Sequence, residues 1–188
     1  MDQTDYLSDQ LLIAMPTLAD PNFSRAVTYI CQHNEAGALG ITINRASELK
    51  VSDVLDQLDI ECLDPQWAEQ QVLMGGPVHT DRGFVLHRDN GQTWKSSFPV
   101  TKEISLTTSR DILEALAVGE GPDLALLALG YAGWGAGQLE SEMLSNSWLN
   151  SDADDQILFR SPLNDRWHHA AARLGINIET ITDVAGHA

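Results

Sequence analysis

Basic residues are scarce. Lys and Arg total 11 against 27 Asp and Glu, giving a formal net charge of −16 and a pI near 4.4. Nucleic-acid affinity draws on Lys and Arg displacing counterions from phosphates, so the lack of any basic run disfavours direct DNA binding. The same balance opposes attachment to anionic membranes. Cysteine is nearly absent as well: Cys31 and Cys62 show no Cys-X-X-Cys spacing, which excludes a zinc knuckle or a redox dithiol. No apolar run approaches the roughly 20 residues of a membrane span. The start, Met1-Asp-Gln-Thr-Asp-Tyr6, carries acids where a signal peptide carries bases, and Pro16 stops the apolar stretch Leu11 to Met15, so a cytoplasmic location is expected. Internal repeats and low-complexity tracts are also lacking.

What remains is ordinary globular material, with 43% hydrophobic and 20% charged residues in 188. A chain of this length buries roughly 70% of its unfolded surface around one core, so a single domain over residues 1–188 is expected. Leu11 to Met15 reads as a buried strand. Alternation at Val27, Tyr29, Cys31 and His33 predicts a second, and Leu39, Ile41 and Ile43 a return strand, with Asn34 to Gly37 as the hairpin turn and His33 facing Leu39. Val51, Val54, Leu55 and Leu58 carry helical spacing, with Ser52 as the expected cap. Asp59 to Glu69 reads as a loop or short helix, followed by strands at Val72 to Met74, Gly83 to His87 and Ile104 to Thr107.

Thr108 to Asp111 matches a capping box ahead of a helix burying Ile112, Leu113, Leu116 and Ala117. Leu124 to Leu129 is continuously apolar, which predicts a central strand covered on both faces. Ser161-Pro162 opens a last helix with Trp167, Ala170, Ala171 and Leu174 on one side. Strands and helices intermix without regular alternation, so the expected class is α+β, with a mixed, mostly antiparallel sheet.

The segment Leu129-Gly-Tyr131-Ala-Gly133-Trp134-Gly135-Ala-Gly137-Gln138-Leu-Glu140 sits where an apolar strand hands over to a helix, a common place for ligands. Its glycine spacing does not match a dinucleotide fingerprint, and Glu140 and Glu142 near the helix start would repel a phosphate. A tight turn with close backbone packing is the reading favoured over a phosphate cradle. Trp134 lies between glycines, off any apolar stripe; it either anchors a partner on a face shared with Trp94 and Trp148 or folds over its own loop.

Gathered from several motifs, Asp20, Asn44, Arg45, Gly133, Trp134, Gln138 and Glu140 form the candidate binding surface, with capping of turns and pairing with one another the reading favoured for the polar ones. Cys31 beside His33 is the candidate reactive thiol, with an inert buried cysteine favoured over it. His168 and His169 are adjacent and diverge on a helix, and His79 and His87 lack a carboxylate or cysteine set, so no metal site is assigned. No Gly-X-Ser-X-Gly or paired-acid motif marks a hydrolase. No catalytic residue and no cofactor is assigned.

Leu12-Ile-Ala-Met15-Pro16, Asp20-Pro-Asn-Phe23, Gly40-Ile-Thr-Ile-Asn44-Arg45, Gly75-Gly-Pro-Val78, Arg82-Gly-Phe-Val-Leu-His87, the glycine segment, Arg166-Trp167 and Gly186-His187-Ala188 together resemble the YqgE/AlgH family over nearly the whole chain. One departure is Ala46, where many members have proline. The resemblance implies a small cytosolic bacterial protein, one α+β unit with its sheet bent toward a barrel and flanked by helices. It also implies a regulatory label connected in some bacteria with transcriptional control of alginate production, and no established catalytic residue or cofactor. The expected function is a non-catalytic regulatory or adaptor protein acting through a protein partner. The alternative is an enzyme or thiol redox sensor using Cys31 or a polar cleft around Asn44, Arg45 and Gln138.

Overall fold

A computed structural model describes residues 6–181. The opening residues 1–5 and the closing Gly186-His187-Ala188 motif lie outside the described residues. In chain order the elements are β1 (Gln10–Ala14), β2 (Val27–Asn34), β3 (Gly37–Thr42), β4 (Ala46–Lys50), α1 (Val51–Gln57), α2 (Pro65–Ala68), β5 (Gln71–Met74), β6 (Val78–Arg88) and β7 (Ser97–Pro99). Then come β8 (Ile104–Thr107), α3 (Arg110–Ala117), β9 (Ala125–Gly135), α4 (Gln138–Leu144), β10 (Trp148–Asp152) and α5 (Arg166–Ala172). Short π and 3-10 turns cover Gln156–Arg160, Leu163–Asp165 and Ile178–Thr180. This is a mixed α+β fold with mostly antiparallel strand pairs. The chain divides into two compact units, residues 1–44 with 132–188, and residues 45–131.

In the first unit β10, β1, β2, β3 and the last residues of β9 form an antiparallel ladder. The β2–β3 hairpin forms, but a bulge between Ile30 and Gln32 shifts its register, so His33 faces Ala38 rather than Leu39. Leu12, Ile30, Trp134, Leu139 and Trp148 share one apolar cluster, edged by Phe23 and Met143. Fully burying side chains of this size contributes about 1.5–3 kcal/mol each. α5 begins at Arg166, after a 3-10 turn, rather than at Pro162. It buries Trp167, Ala170 and Ala171, and its first residues tie it to the sheet: Trp167 Nε1 donates to Ala14 O at 2.9 Å and Arg166 Nη1 to Ile43 O at 2.6 Å.

In the second unit β9 lies between β6, antiparallel, and β5, parallel, while β8 and β7 extend the β6 side and β4 pairs with β5. Leu126, Leu127 and Ala128 are all buried, as continuous hydrophobicity requires of an inner strand. Val51, Leu55, Trp67, Val85, Ile112, Leu116 and Leu127 make the core of this unit. Two caps sit away from their expected positions. Lys50, not Ser52, precedes α1, its N–H donating to Asp53 Oδ2 at 2.8 Å. Ser109, not Thr108, precedes α3, where Asp111 Oδ1 accepts from the Ser109 hydroxyl and from Ile112 N.

Gly75 and Gly130 mark a crossing of two main chains. A Cβ on Gly75 would overlap the Gly130 carbonyl, and one on Gly130 would overlap the Gly76 carbonyl and lie 3.0 Å from Val78 O. Gly130 also holds a φ of +76°, a conformation glycine adopts without steric penalty.

Candidate functional site

The glycine segment is a strand, not a loop. β9 runs on through Gly133 and Gly135, pairing Trp134 with Ala38 and Gly133 with Leu39, and only Ala136 and Gly137 separate it from α4. Glycine's low strand preference hid this continuation, which the ladder with β3 stabilises.

Trp134 is correspondingly not an exposed anchor. It is 5% exposed, stacked on Phe23 at 6.2 Å and edge-on to Trp148 at the same separation, while Phe23 meets Trp148 at 5.7 Å. Such aromatic pairs add roughly 0.5–1.5 kcal/mol beyond area burial. The Asp20-Pro-Asn-Phe23 turn supplies that Phe23: Phe23 N and Ser24 N donate to Asp20 O, and Asn22 N donates to Asp20 Oδ1. Asp20 thus shapes the turn that carries one ring of the cluster.

Asn44 works as a backbone bridge. Its Oδ1 accepts from Val27 N and its Nδ2 donates to Arg25 O, both at 2.8 Å, fixing the entry into β2. Gln138, the first residue of α4, accepts from Gly135 N at 3.0 Å and donates to Glu142 at 3.4 Å. Arg45 opens the second unit, where its carbonyl accepts from Met74 N at 2.8 Å. Gly133 is an exposed strand residue. Among the described residues no hydrogen bond joins Asp20 or Asn44 to Gln138 or Glu140.

Glu140 makes the most distinctive contact of the set. Leu7 N donates to His33 Nδ1 at 2.9 Å, so the imidazole proton sits on Nε2, which donates to Glu140 Oε1 at 2.8 Å. The His33 side chain is 1% exposed and that of Glu140 33%, and the second oxygen of Glu140 is buried with no partner among the described residues. With both ring nitrogens engaged, His33 clamps α4 and the N-terminal approach onto β2 rather than offering a free base.

Cys31 is fully buried, and burial pushes its thiol well above the ordinary range, away from the thiolate that redox chemistry needs. Its Sγ donates weakly to Tyr29 O. Tyr29 is likewise pushed up by burial and then by its hydrogen bond to Asp9, at 2.6 Å.

Sequence reading gave two buried polar groups no role. In the second unit His87 is fully buried, its Nε2 2.7 Å from the Thr107 hydroxyl, which in turn donates to Ser97 Oγ at 2.8 Å. Its Nδ1 lies 3.7 Å from Asp89, whose other oxygen accepts from Ser105 Oγ. Desolvation lowers the His87 pKa against the opposing pull of Arg88 O and Asp89. Ser97 and Asp89 are the exposed ends of this hydrogen-bonded group, and a one-residue alternation in separate strands gave no motif to find it by. In the first unit Arg166, 5% exposed, donates to Ser161 O and Ile43 O, and burial pulls it down to about 10, still a cation at neutral pH.

Several apolar side chains are left in solvent, and in the first unit Leu144, the last residue of α4, is 86% exposed. In the second unit Leu63 is 65%, Val118 47% and Leu58 36% exposed. Leu58 and Val118 are the C-caps of α1 and α3, and Leu63 N donates to Ala117 O at 2.7 Å. Among the described residues no helix is long and apolar enough to cross a membrane, and no group of three metal-ligating side chains occurs.

An α+β chain whose polar motif residues hold backbone and helix ends together is defined by its fold more than by any reactive constellation. It belongs to the AlgH-like family, whose model matches residues 11–179. The chain is 55% identical to a UPF0301 protein of Xanthomonas axonopodis over 97% of its length and 96% of the relative's. It is 56% identical to a UPF0301 protein of Thioalkalivibrio sulfidiphilus over the full length of both. Its structure is similar to the solution structure of the AlgH protein from Pseudomonas aeruginosa, with a TM-score of 0.78 and 48% identity, covering 100% of this chain and 99% of that one. A Corynebacterium diphtheriae protein shares the fold with a TM-score of 0.73 at 18% identity, over 92% of this chain and 90% of that one.

Proposed function

We propose that this protein is a non-catalytic regulatory adaptor of the cytoplasm that affects gene expression through a protein partner, leaving contact with DNA to that partner. The observation that carries the reading is the exposure of Leu58 and Val118, which end α1 and α3, and of Leu63, which the main chain ties to the end of α3, next to a buried core. Exposed apolar surface of this kind is the material of protein contacts. The net charge of −16 supports the division of labour, since an anionic surface repels the phosphate backbone. Three polar side chains support it too: Asn44, Gln138 and His33 spend their hydrogen-bonding capacity on their own unit.

The test is a chromosomal Leu63→Ser/Val118→Ser substitution, compared with a deletion strain. Partner capture by crosslinking should fall and the transcript profile should shift toward that of the deletion. A profile matching wild type, with the variant present at normal abundance, would reject the reading.

A further inference from the structure

The exposed apolar residues of the second unit do not sit in neutral surroundings. Hydrogen bonds from Leu63 N and Asp64 N to Ala117 O, at 2.7 and 3.1 Å, lay the α1–α2 connection against the end of α3 and bring Leu63 beside Val118. Beneath them Leu55, Ile60, Leu116 and Ala117 belong to the core, so the shelf is backed by packed side chains. Asp56, Asp59, Glu61 and Glu120 are exposed around it, and no ion pair engages them among the described residues. The sequence has no Lys or Arg from Val51 to Glu69, nor from Asp111 to Leu124.

Helix ends add to the same sign. α1 and α3 end at the exposed Leu58 and Val118, and neither carries a basic residue in its last turn. A helix C-terminus bears a partial negative charge that cations stabilise, and here the chain supplies none of its own.

Exposed apolar side chains, acidic neighbours and two helix C-termini without a basic residue specify the complement: an apolar stripe flanked by cations. We propose that this shelf docks a basic amphipathic helix of a protein partner. Residues of that helix at i, i+3 or i+4 and i+7 cover Leu58, Leu63 and Val118, and its Lys and Arg side chains meet Asp56, Asp59, Glu61 and Glu120. This proposal rests on the adaptor reading and names its partner's chemistry. A second copy of the chain would press one anionic rim against another, and an anionic membrane would repel the same charges.

The experiment uses the full chain and synthetic peptides of about 18 residues, long enough to present the stripe over several turns. One is a Leu/Lys amphipathic helix, one its Leu/Glu counterpart, and one a scramble of the Leu/Lys composition without the stripe. Binding is read by anisotropy and by alkylation of Cys62, which lies half-buried between Glu61 and Leu63 while Cys31 is fully buried. The Leu/Lys helix should bind, slow Cys62 alkylation by at least about tenfold at saturation, and weaken as salt rises. Leu63→Ser/Val118→Ser and, separately, Asp59→Lys/Glu61→Lys should each cost at least about tenfold in affinity. All four positions are exposed or at a helix end, and circular dichroism checks that each variant is folded.

Equal binding of the scramble, or an affinity unmoved by Leu63→Ser/Val118→Ser, would overturn the proposal by reducing the contact to unspecific charge attraction. The two readings fail separately. Leu63→Ser/Val118→Ser abolishing partner capture in cells while no peptide binds would sink the cationic helix and leave the adaptor standing. Peptide binding with an unchanged transcript profile would do the reverse.

Discussion

Gly130→Ala puts a number on the main-chain crossing in the second unit. Two separate costs arise. At a φ of +76° an alanine sits in the left-handed region, at about 1–2 kcal/mol. Its Cβ would also overlap the Gly76 carbonyl oxygen and crowd Val78 O at 3.0 Å and Thr80 Cα at 3.3 Å. Those are backbone atoms, which cannot rotate aside as a side chain can, so overpacking adds about 1–3 kcal/mol. The sum is about 2–5 kcal/mol. Gly137→Ala serves as the control: its φ of +73° carries the first cost, but nothing lies within 4 Å of its Cβ, so the second is missing. Urea unfolding of both variants, followed by tryptophan fluorescence, gives the difference. At a slope of about 2 kcal/mol/M, the midpoint of Gly130→Ala should fall by about 1–2.5 M and that of Gly137→Ala by under about 1 M, with slopes unchanged. Equal losses in the two variants would refute the crossing as the reason for glycine at position 130.

Asn44→Ala removes the acceptor for Val27 N and the donor to Arg25 O, and should cost about 1–3 kcal/mol; Asn44→Asp keeps the acceptor but sets a carboxylate oxygen against the Arg25 carbonyl, so it should not restore stability, and the same urea assay checks both. Trp134→Ala empties the ring cluster with Phe23 and Trp148, costing about 3–5 kcal/mol, and a soluble quencher should fail to reach Trp134 in a variant keeping that tryptophan alone; ready quenching would contradict its burial. Burial holds the His87 pKa below its ordinary value of 6.5, so the unfolded chain takes up a proton that the folded chain refuses. Stability is therefore full above about pH 6.5 and falls as pH drops toward the native value. His87→Gln should flatten the pH dependence of the urea midpoint between about pH 7 and 5; an unchanged slope would assign the acid sensitivity elsewhere. Cys31 should resist alkylation in the native protein at pH 8 while Cys62 reacts, which mass mapping of the modified peptides decides.

Sequence periodicity located the elements that bury a clear face. Ile112, Leu113, Leu116 and Ala117 mark α3, and the unbroken apolar run before Gly130 marks an inner strand, because burial on one or two faces writes itself directly into residue type. β4, β7 and β10 escaped notice for the opposite reason. β4 alternates between exposed and half-buried positions, β7 is three exposed residues, and β10 buries only Trp148 and Ser151, so pairing rather than hydrophobicity holds them in place. The β2–β3 register was misread by one residue because a bulge leaves no trace in an alternating pattern. Caps were displaced because several hydroxyls and acids stood within one turn of each helix start, and only the finished geometry selects among them.

At the candidate site the sequence left two uses of the same residue types open. Glycine, tryptophan and amide side chains drew the eye to positions 130–140 because those residue types accompany ligand sites. The same types also serve wherever backbones cross closely, and at Gly130 it is the Gly76 carbonyl that fills the space a side chain would occupy. Trp134 packs inward because β9 continues past its glycines, placing the ring opposite Ala38 and over Phe23. Residue type alone cannot separate these uses, since each rewards an absent Cβ or a flat ring equally. Exposure separates them. Leu63, unremarkable in sequence and lying in an acidic connection, is the side chain that the fold leaves most at odds with water in the second unit. Function in a chain of this kind is therefore to be sought where the fold leaves apolar surface uncovered and charge unpaired, rather than where the rarest residues cluster.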